Sequence, residues 1–142
     1  YHMHYRPLSG ASLSRPVVDV ENGFALTPTD NGIRLTTGVE LAERDAPPNP
    51  AIVKLAKRRA EEIFPLGRSL QEQPWMGSRP CLPDSLPVIG VAPGKERVIH
   101  AFGHQHLGLT LGGITGRIVA DLAEGRAPNA DISAYAPGRR YS

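Results

Sequence analysis

Apolar and polar residues alternate near the start of the chain in the pattern of antiparallel strands. Residues 33–36 repeat with the period of two that a half-buried strand shows, and residues 16–20 and 24–27 are two further strand candidates. One Asn-Gly pair, at 22–23, separates the first two candidates, and a second, at 31–32, precedes the third. Because Asn and Gly both tolerate positive φ, such pairs favour tight hairpin turns. The pattern therefore predicts an antiparallel meander.

The apolar period lengthens to that of a helix after a proline-rich connector at 45–50. Asn49 is suited to cap this helix, Pro50 suits its first position, and Pro65 is expected to end it. The predicted apolar face comprises Ile52, Leu55, Ala56, Ala60 and Ile63. Basic residues on the other faces favour a solvated surface over a docking surface for a partner, and they are Lys54, Lys57 and Arg58.

A second helix is predicted after an irregular, proline-rich stretch at 71–93. Residues 98–102 predict a short buried strand, 103–109 a glycine-bearing turn, and 110–124 a helix that ends at Gly125. The apolar stripe of this helix comprises Leu111, Ile114, Ile118 and Leu122. The expected fold class is α+β: an antiparallel sheet with one packed helix, followed by a separate strand–loop–helix unit and a tail at 126–142.

Composition excludes several classes of protein. The chain has 142 residues, with 16 Lys and Arg against 14 Asp and Glu, so its net charge of +2 does not favour a nucleic-acid partner. No apolar run approaches the roughly 20 residues of a membrane-spanning helix. The single cysteine, Cys81, cannot form an internal disulfide, which favours a reducing compartment. We expect a cytoplasmic protein.

The strand–turn–helix from residue 98 onward is the first candidate for chemistry. A glycine loop that leads into a helix brings free backbone N–H groups and the positive end of the helix dipole to one point. Such a point attracts an anion or a carbonyl that gains negative charge. The alternative, that Gly112, Gly113 and Gly116 only permit close packing, is favoured on physical grounds alone. No phosphate-loop or dinucleotide-binding glycine pattern is present.

Arg79 is the second candidate, because it lies between Trp75 and Pro80 and its planar guanidinium suits a carboxylate. The alternative is a structural ion pair with Asp84 or another acid. The spacings of two histidine sets could supply metal ligands: His2 with His4, and His100 with His104 and His106. No H-E-x-x-H motif or cysteine pair is present, so ordinary hydrogen bonds are expected for the histidines and no metal. No nucleophile–base pair stands out either, so no catalytic side chain is assigned.

Four segments, in this order, resemble the C-terminal part of the flavin-dependent D-amino-acid oxidase and dehydrogenase superfamily. They are residues 32–40, 75–80, 82–90 and 103–110. The resemblance covers almost the whole chain and is greatest to bacterial FAD-binding dehydrogenases that act on D-amino acids, including D-proline and hydroxy-D-proline.

The resemblance implies a role for each matching segment. Arg79 corresponds to the arginine that binds the substrate carboxylate, while Gln105 and His106, which depart from the small residues of many members, are expected to line the substrate pocket. The loop beside the flavin pyrimidine ring would be formed by Gly103, His104, Leu107, Gly108, Leu109 and Thr110. The helix after it would point its positive end at the part of the flavin that gains charge on reduction.

The resemblance also implies a domain organisation and a partner. Residues 1–97 would be part of a substrate-binding domain, 98–125 the flavin-facing strand–loop–helix, and 126–142 a tail. The family's nucleotide-binding glycine loop would lie upstream of residue 1, so a fragment of a longer flavoprotein, inactive by itself, is expected. The alternative is a non-catalytic module or subunit that completes a flavin site on another chain. A quinone acceptor would bring the protein to the inner face of the membrane.

Overall fold

The computed structural model describes residues 1–141, which divide into two compact units, the first covering Tyr1–Ser78 and the second beginning at Arg79. The first unit contains five strands and one helix: β1 (His2–Pro7), β2 (Val17–Asp19), β3 (Phe24–Thr29), β4 (Gly32–Thr37), α1 (Pro50–Glu61) and β5 (Leu66–Ser69). The second contains β6 (Val88–Ala92), β7 (Lys95–Phe102), α2 (Gly108–Ala123) and a short 3-10 helix, Ser133–Tyr135.

The predicted meander is confirmed as β2, β3 and β4, and the sheet extends beyond it. Its strand order is β2-β3-β4-β1-β5, with every pair antiparallel. Strand β1 therefore lies inside the sheet, where Tyr5 pairs with Ile33 of β4 and with Ser69 of β5. Gly32 has a φ of +118°, and a Cβ there would lie 2.6 Å from the Tyr5 carbonyl oxygen. A glycine is thus required where β4 begins beside β1.

One face of this sheet packs against α1 and forms the core of the first unit. The helix begins as predicted, with the Asn49 side chain accepting a hydrogen bond from the Ala51 backbone N–H at 3.1 Å. The core cluster consists of Tyr5, Phe24, Leu26, Ile33, Leu35, Ala56, Ala60, Phe64 and Leu66.

The predicted apolar face of α1 is wrong in part. The buried helical residues are Val53, Ala56 and Ala60, whereas Leu55 is 50% exposed and Ile63 is 54% exposed. Two alanines face the sheet, and their small side chains let the helix approach it closely. The larger apolar residues are therefore displaced from the contact, which apolar periodicity alone does not reveal.

The second unit is built on a hairpin of β6 and β7, with α2 packed against both strands. Strand β6 lies inside the stretch that was predicted to be irregular, and it supplies the buried residues Val88, Ile89 and Ala92. Strand β7 was predicted to be buried but is largely exposed, with Val98 42% exposed. The prediction is wrong because β6, between the prolines, takes the buried position in the hairpin.

Helix α2 begins two residues before its predicted start, and only part of its predicted stripe is buried. Ile118 is 5% exposed, Leu111 and Leu122 are half-buried, and Ile114 is 44% exposed. The chain beyond α2 turns back, because the short helix Ser133–Tyr135 contacts β6. Within residues 1–141, neither helix is long and apolar enough to cross a membrane. The division at residues 97 and 125 into functional domains stays a prediction.

Candidate functional site

Arg79 contacts the glycine-bearing loop. Its Nη1 donates a hydrogen bond to the backbone oxygen of Gln105 at 3.4 Å, a distance at the long end for such a bond. Arg79 is exposed and Gln105 is half-buried. Across residues 1–141, no carboxylate lies within 4.0 Å of the Arg79 guanidinium. Two residues that the family resemblance assigns to one substrate pocket therefore lie together, and the guanidinium keeps donors for an incoming anion.

Asp84, the expected alternative partner of Arg79, pairs with Arg139 instead. Arg139 Nε lies 2.6 Å from Asp84 Oδ2, and Nη2 lies 3.1 Å from Oδ1, while both side chains are only 10% exposed. The hydrogen bonds from Arg139, with a smaller one from the Leu86 backbone N–H, hold the pKa of Asp84 below its usual 3.8. Because this carboxylate is occupied, the ion-pair alternative for Arg79 is wrong for Asp84.

The loop between β7 and α2 has a fixed and unusual backbone. Gly103 has a φ of +83° and Gln105 a φ of +49°, which is uncommon for a residue with a side chain. A Cβ on Gly103 would lie 2.7 Å from Leu82 Cδ1, so the packing of Leu82 also requires glycine there. The Leu107 N–H closes the turn by donating to the His104 backbone oxygen at 2.9 Å.

His104 connects this loop to α2. Its Nε2 lies 3.0 Å from the hydroxyl oxygen of Thr115, which is 8% exposed. The contact holds the His104 ring against the helix. Thr115 was not predicted as a site residue. Its position between the glycines at 113 and 116 was the only signal in the sequence.

The start of α2 presents unsatisfied donors. Leu107 precedes the helix and makes no side-chain capping bond, so the first N–H groups, at Gly108, Leu109 and Thr110, have no acceptor inside the helix. Leu109 is 99% exposed, and His106 is exposed as well. A Cβ on Gly108 would meet only His104 Cβ, at 3.5 Å. An accessible helix start of this kind suits a polar group that carries negative charge.

All nine predicted site residues lie in the second unit, on Arg79 and on the loop with the first turn of α2. Two open depressions, of 640 Å³ and 240 Å³, lie elsewhere and are lined by residues 94–98 and by residues around Arg6 and Asp30. Gly103 is buried and His104 and Gln105 are half-buried, whereas residues 106–110 at the start of α2 are exposed.

The fold corresponds to part of an FAD-dependent oxidoreductase. A family model described as "DAO: FAD dependent oxidoreductase" matches residues 1–122. The chain belongs to this family, whose members depend on FAD.

The curated relatives are amino-acid oxidising enzymes. A D-amino-acid oxidase of Bradyrhizobium diazoefficiens is 36% identical over 115 residues, which are 78% of this chain and 27% of the relative. A D-amino acid dehydrogenase of Paramagnetospirillum magneticum is 35% identical over 111 residues, or 78% of this chain and 26% of the relative. The chain thus spans about a quarter of the length of these relatives.

Solved structures show the same fold. Glycine oxidase from Geobacillus kaustophilus has a TM-score of 0.74 and 25% identity over 99% of this chain and 38% of its own. Glycine oxidase from Bacillus cereus has a TM-score of 0.72 at the same identity, over 90% of this chain and 36% of its own. The resemblance to the D-amino-acid oxidase superfamily is confirmed, and FAD is confirmed as the family's cofactor.

Proposed function

We propose that this chain supplies the carboxylate-binding arginine and the flavin-facing loop of an oxidoreductase that oxidises the C–N bond of a D-amino acid. One observation carries the proposal: the Arg79 guanidinium, which has no acidic partner within residues 1–141, contacts the Gln105 carbonyl of the loop. An arginine that binds a carboxylate and a loop that approaches a flavin must be neighbours for the substrate to lie against the cofactor.

The residues of the loop fit an FAD. The free N–H groups at the start of α2 and the Thr110 hydroxyl would hold the carbonyl end of the flavin ring, and Gly108 would permit close backbone approach. Bound FAD supplies the acceptor for the two electrons and the hydrogen of the substrate. Arg79 would hold the substrate carboxylate and thereby orient the Cα–H bond. Gln105 and His106 would line the substrate pocket.

The remainder of the flavoprotein is the proposed partner. The relatives are about four times longer than the matched segment, and the adenosine end of FAD requires a nucleotide-binding part that we propose lies in the rest of the protein. A subunit that completes a flavin site on another chain is the alternative. D-Proline and hydroxy-D-proline are candidate substrates. The proposed location is the cytoplasm, or the inner face of the membrane if a quinone accepts the electrons.

Replacement of Arg79 by leucine in the full-length flavoprotein tests the proposal. Loss of the charged partner of a buried carboxylate costs about 2–5 kcal/mol, so kcat/KM for D-amino acids is expected to fall by roughly 30-fold or more, mainly through KM. Steady-state kinetics measures the change, and the visible absorption spectrum checks that flavin content is unchanged.

Arg58→Leu is the matched control, because Arg58 is an exposed arginine of α1 and makes no ion pair with residues 1–141. It removes the same charge and is expected to leave KM unchanged. Wild-type kinetics in the Arg79 variant would contradict the assignment. A fall in flavin content without a rise in KM would move Arg79 from substrate to cofactor binding.

A further inference from the structure

The face of the five-stranded sheet opposite α1 carries a cluster of basic side chains. Along β1, Tyr5 points into the core, so the alternating residues His2 and His4 lie on the opposite face. Arg34 is directly across from His4 in β4, on that same face, because its neighbours Ile33 and Leu35 are core residues. We call His2, His4, Arg34 and the adjoining Trp75 the basic cluster.

A chain of hydrogen bonds fixes two members of the basic cluster. Arg34 Nε donates to His4 Nε2 at 3.2 Å, and His4 Nδ1 lies 3.2 Å from Gln71 Oε1. Since a guanidinium can only donate, His4 Nε2 accepts, and the ring proton must be on Nδ1, which donates to Gln71. Gln71 Oε1 also accepts from the His4 backbone N–H at 2.9 Å. The His4 ring therefore holds the orientation of the arginine.

The charge of Arg34 is not balanced by an acid. Within residues 1–141, no carboxylate lies within 4.0 Å of its guanidinium, and its bond to His4 uses only Nε. The two terminal nitrogens keep the parallel N–H geometry that matches a carboxylate. Arg34 is half-buried, so a bound anion would be only partly screened by solvent.

A stacked pair of aromatic rings contacts His4 through His2. The Trp75 ring stacks on the His2 ring with centroids 4.7 Å apart and an interplanar angle of 19°. Backbone hydrogen bonds of 3.0 Å and 2.9 Å between the same two residues hold the pair, and a Cβ on Gly77 would overlap the indole ring. Trp75 remains 55% exposed, so it offers an apolar surface in a fixed position, and His2 and His4 connect it to Arg34.

We propose that the basic cluster binds a small aliphatic carboxylate, with the terminal nitrogens of Arg34 on the carboxylate and the Trp75 and His2 rings beside its apolar part. The inference goes beyond the proposed function, because it requires neither Arg79 nor a flavin. A ligand with an ammonium group next to its carboxylate is disfavoured, since the cluster holds positive charge and offers no acid to receive it. The chemical class is therefore a simple or 2-oxo acid and not a zwitterionic amino acid.

Titration of the 142-residue chain with propionate, followed by NMR of the histidine and indole ring protons, tests this site. Propionate is expected to shift the ring resonances of His2 and Trp75 in a saturable way at low salt. D-Alanine, which adds only an ammonium group to the same skeleton, is expected to bind at least tenfold more weakly. Equal or tighter binding of D-alanine would overturn the proposed class of ligand.

Arg34→Gln is expected to weaken propionate binding about tenfold or more, because the positive charge and the two parallel N–H donors of the guanidinium are lost. Arg34→Lys keeps the positive charge but not the two parallel N–H donors, so an intermediate loss of propionate affinity is expected. This variant keeps the test valid if Arg34→Gln fails to fold. Arg58→Gln on α1 removes the same charge and should bind like the wild type. Absent shifts in the wild type, or equal weakening in the Arg58 and Arg34 variants, would overturn the site.

Discussion

Gly103 and Gly94 are two glycines of the second unit with nearly the same backbone conformation and different surroundings. Their φ angles are +83° and +70°, but a Cβ on Gly103 would lie 2.7 Å from Leu82 Cδ1, whereas a Cβ on Gly94 would meet nothing within 4 Å. The pair separates two costs of adding a methyl group. One is the left-handed backbone, and the other is the collision with a packed neighbour.

Alanine at Gly94 is expected to lower the free energy of unfolding by about 1–2 kcal/mol, the cost of a left-handed conformation for a residue with a Cβ. Alanine at Gly103 should cost about 1–3 kcal/mol more, because Leu82 must move. Urea denaturation of both variants measures the difference. Equal losses of unfolding free energy in the two variants would mean that the Leu82 side chain moves aside without an energetic penalty and that other contacts hold the loop.

At the scale of single elements, Leu35 of β4 and Leu41 in the loop that follows it provide another comparison. Leu35 is fully buried in the core cluster, and Leu41 is 97% exposed. Leu35→Ala is expected to cost about 2–5 kcal/mol through lost burial and the cavity left behind. Leu41→Ala should change stability by less than about 0.5 kcal/mol. The denaturant midpoints of the two variants, compared at a common slope of unfolding free energy against denaturant concentration, measure these losses. A large loss for Leu41→Ala would indicate that the exposed side chain makes stabilising contacts outside the sheet.

The elements that could be predicted from sequence are those whose signals are local. The meander follows from alternation and two Asn-Gly pairs, and the start of α1 follows from Asn49 and Pro50, whose contacts span only a few residues. Strand β5 was missed because it is four residues long and is defined by pairing with β1, more than 50 residues away. Strand β6 was hidden because prolines flank it closely, at 87 and 93.

The same distinction applies to the site. The contact between Arg79 and the loop follows from the family resemblance, which assigns both to one pocket. The partner of Asp84 could not be predicted, because Arg139 lies 55 residues further along the chain in a segment that has the composition of a tail. The basic cluster was missed for a similar reason. Its members meet only through the register of β1 against β4.

At the scale of the whole chain, the pair of Asp84 and Arg139 couples stability to pH. The pKa of Asp84 is lowered below 3.8 in the folded protein by Arg139. A lowered carboxyl pKa means that the folded state binds the proton less readily than the unfolded state, so its stabilising contribution is complete above about pH 4. The contribution is lost as the pH falls through the lowered pKa.

Asp84→Asn is therefore expected to lower the urea midpoint at neutral pH and to flatten its decline below about pH 4 relative to the wild type. Asp30→Asn, which removes an exposed acid of the first unit, serves as the control for charge. The measurement is the urea midpoint at a series of pH values. Parallel curves for wild type and Asp84→Asn would show that the pair contributes nothing to acid sensitivity.

The stacking of Trp75 on His2 also determines what tryptophan fluorescence reports about this protein. Trp75 is the only tryptophan in the chain, and both rings of the stack belong to the first compact unit. Indole emission therefore reports on the unfolding of that unit. Circular dichroism averages over both units. A difference between the unfolding transitions reported by indole emission and by circular dichroism would show that the two units unfold separately, without any added dye.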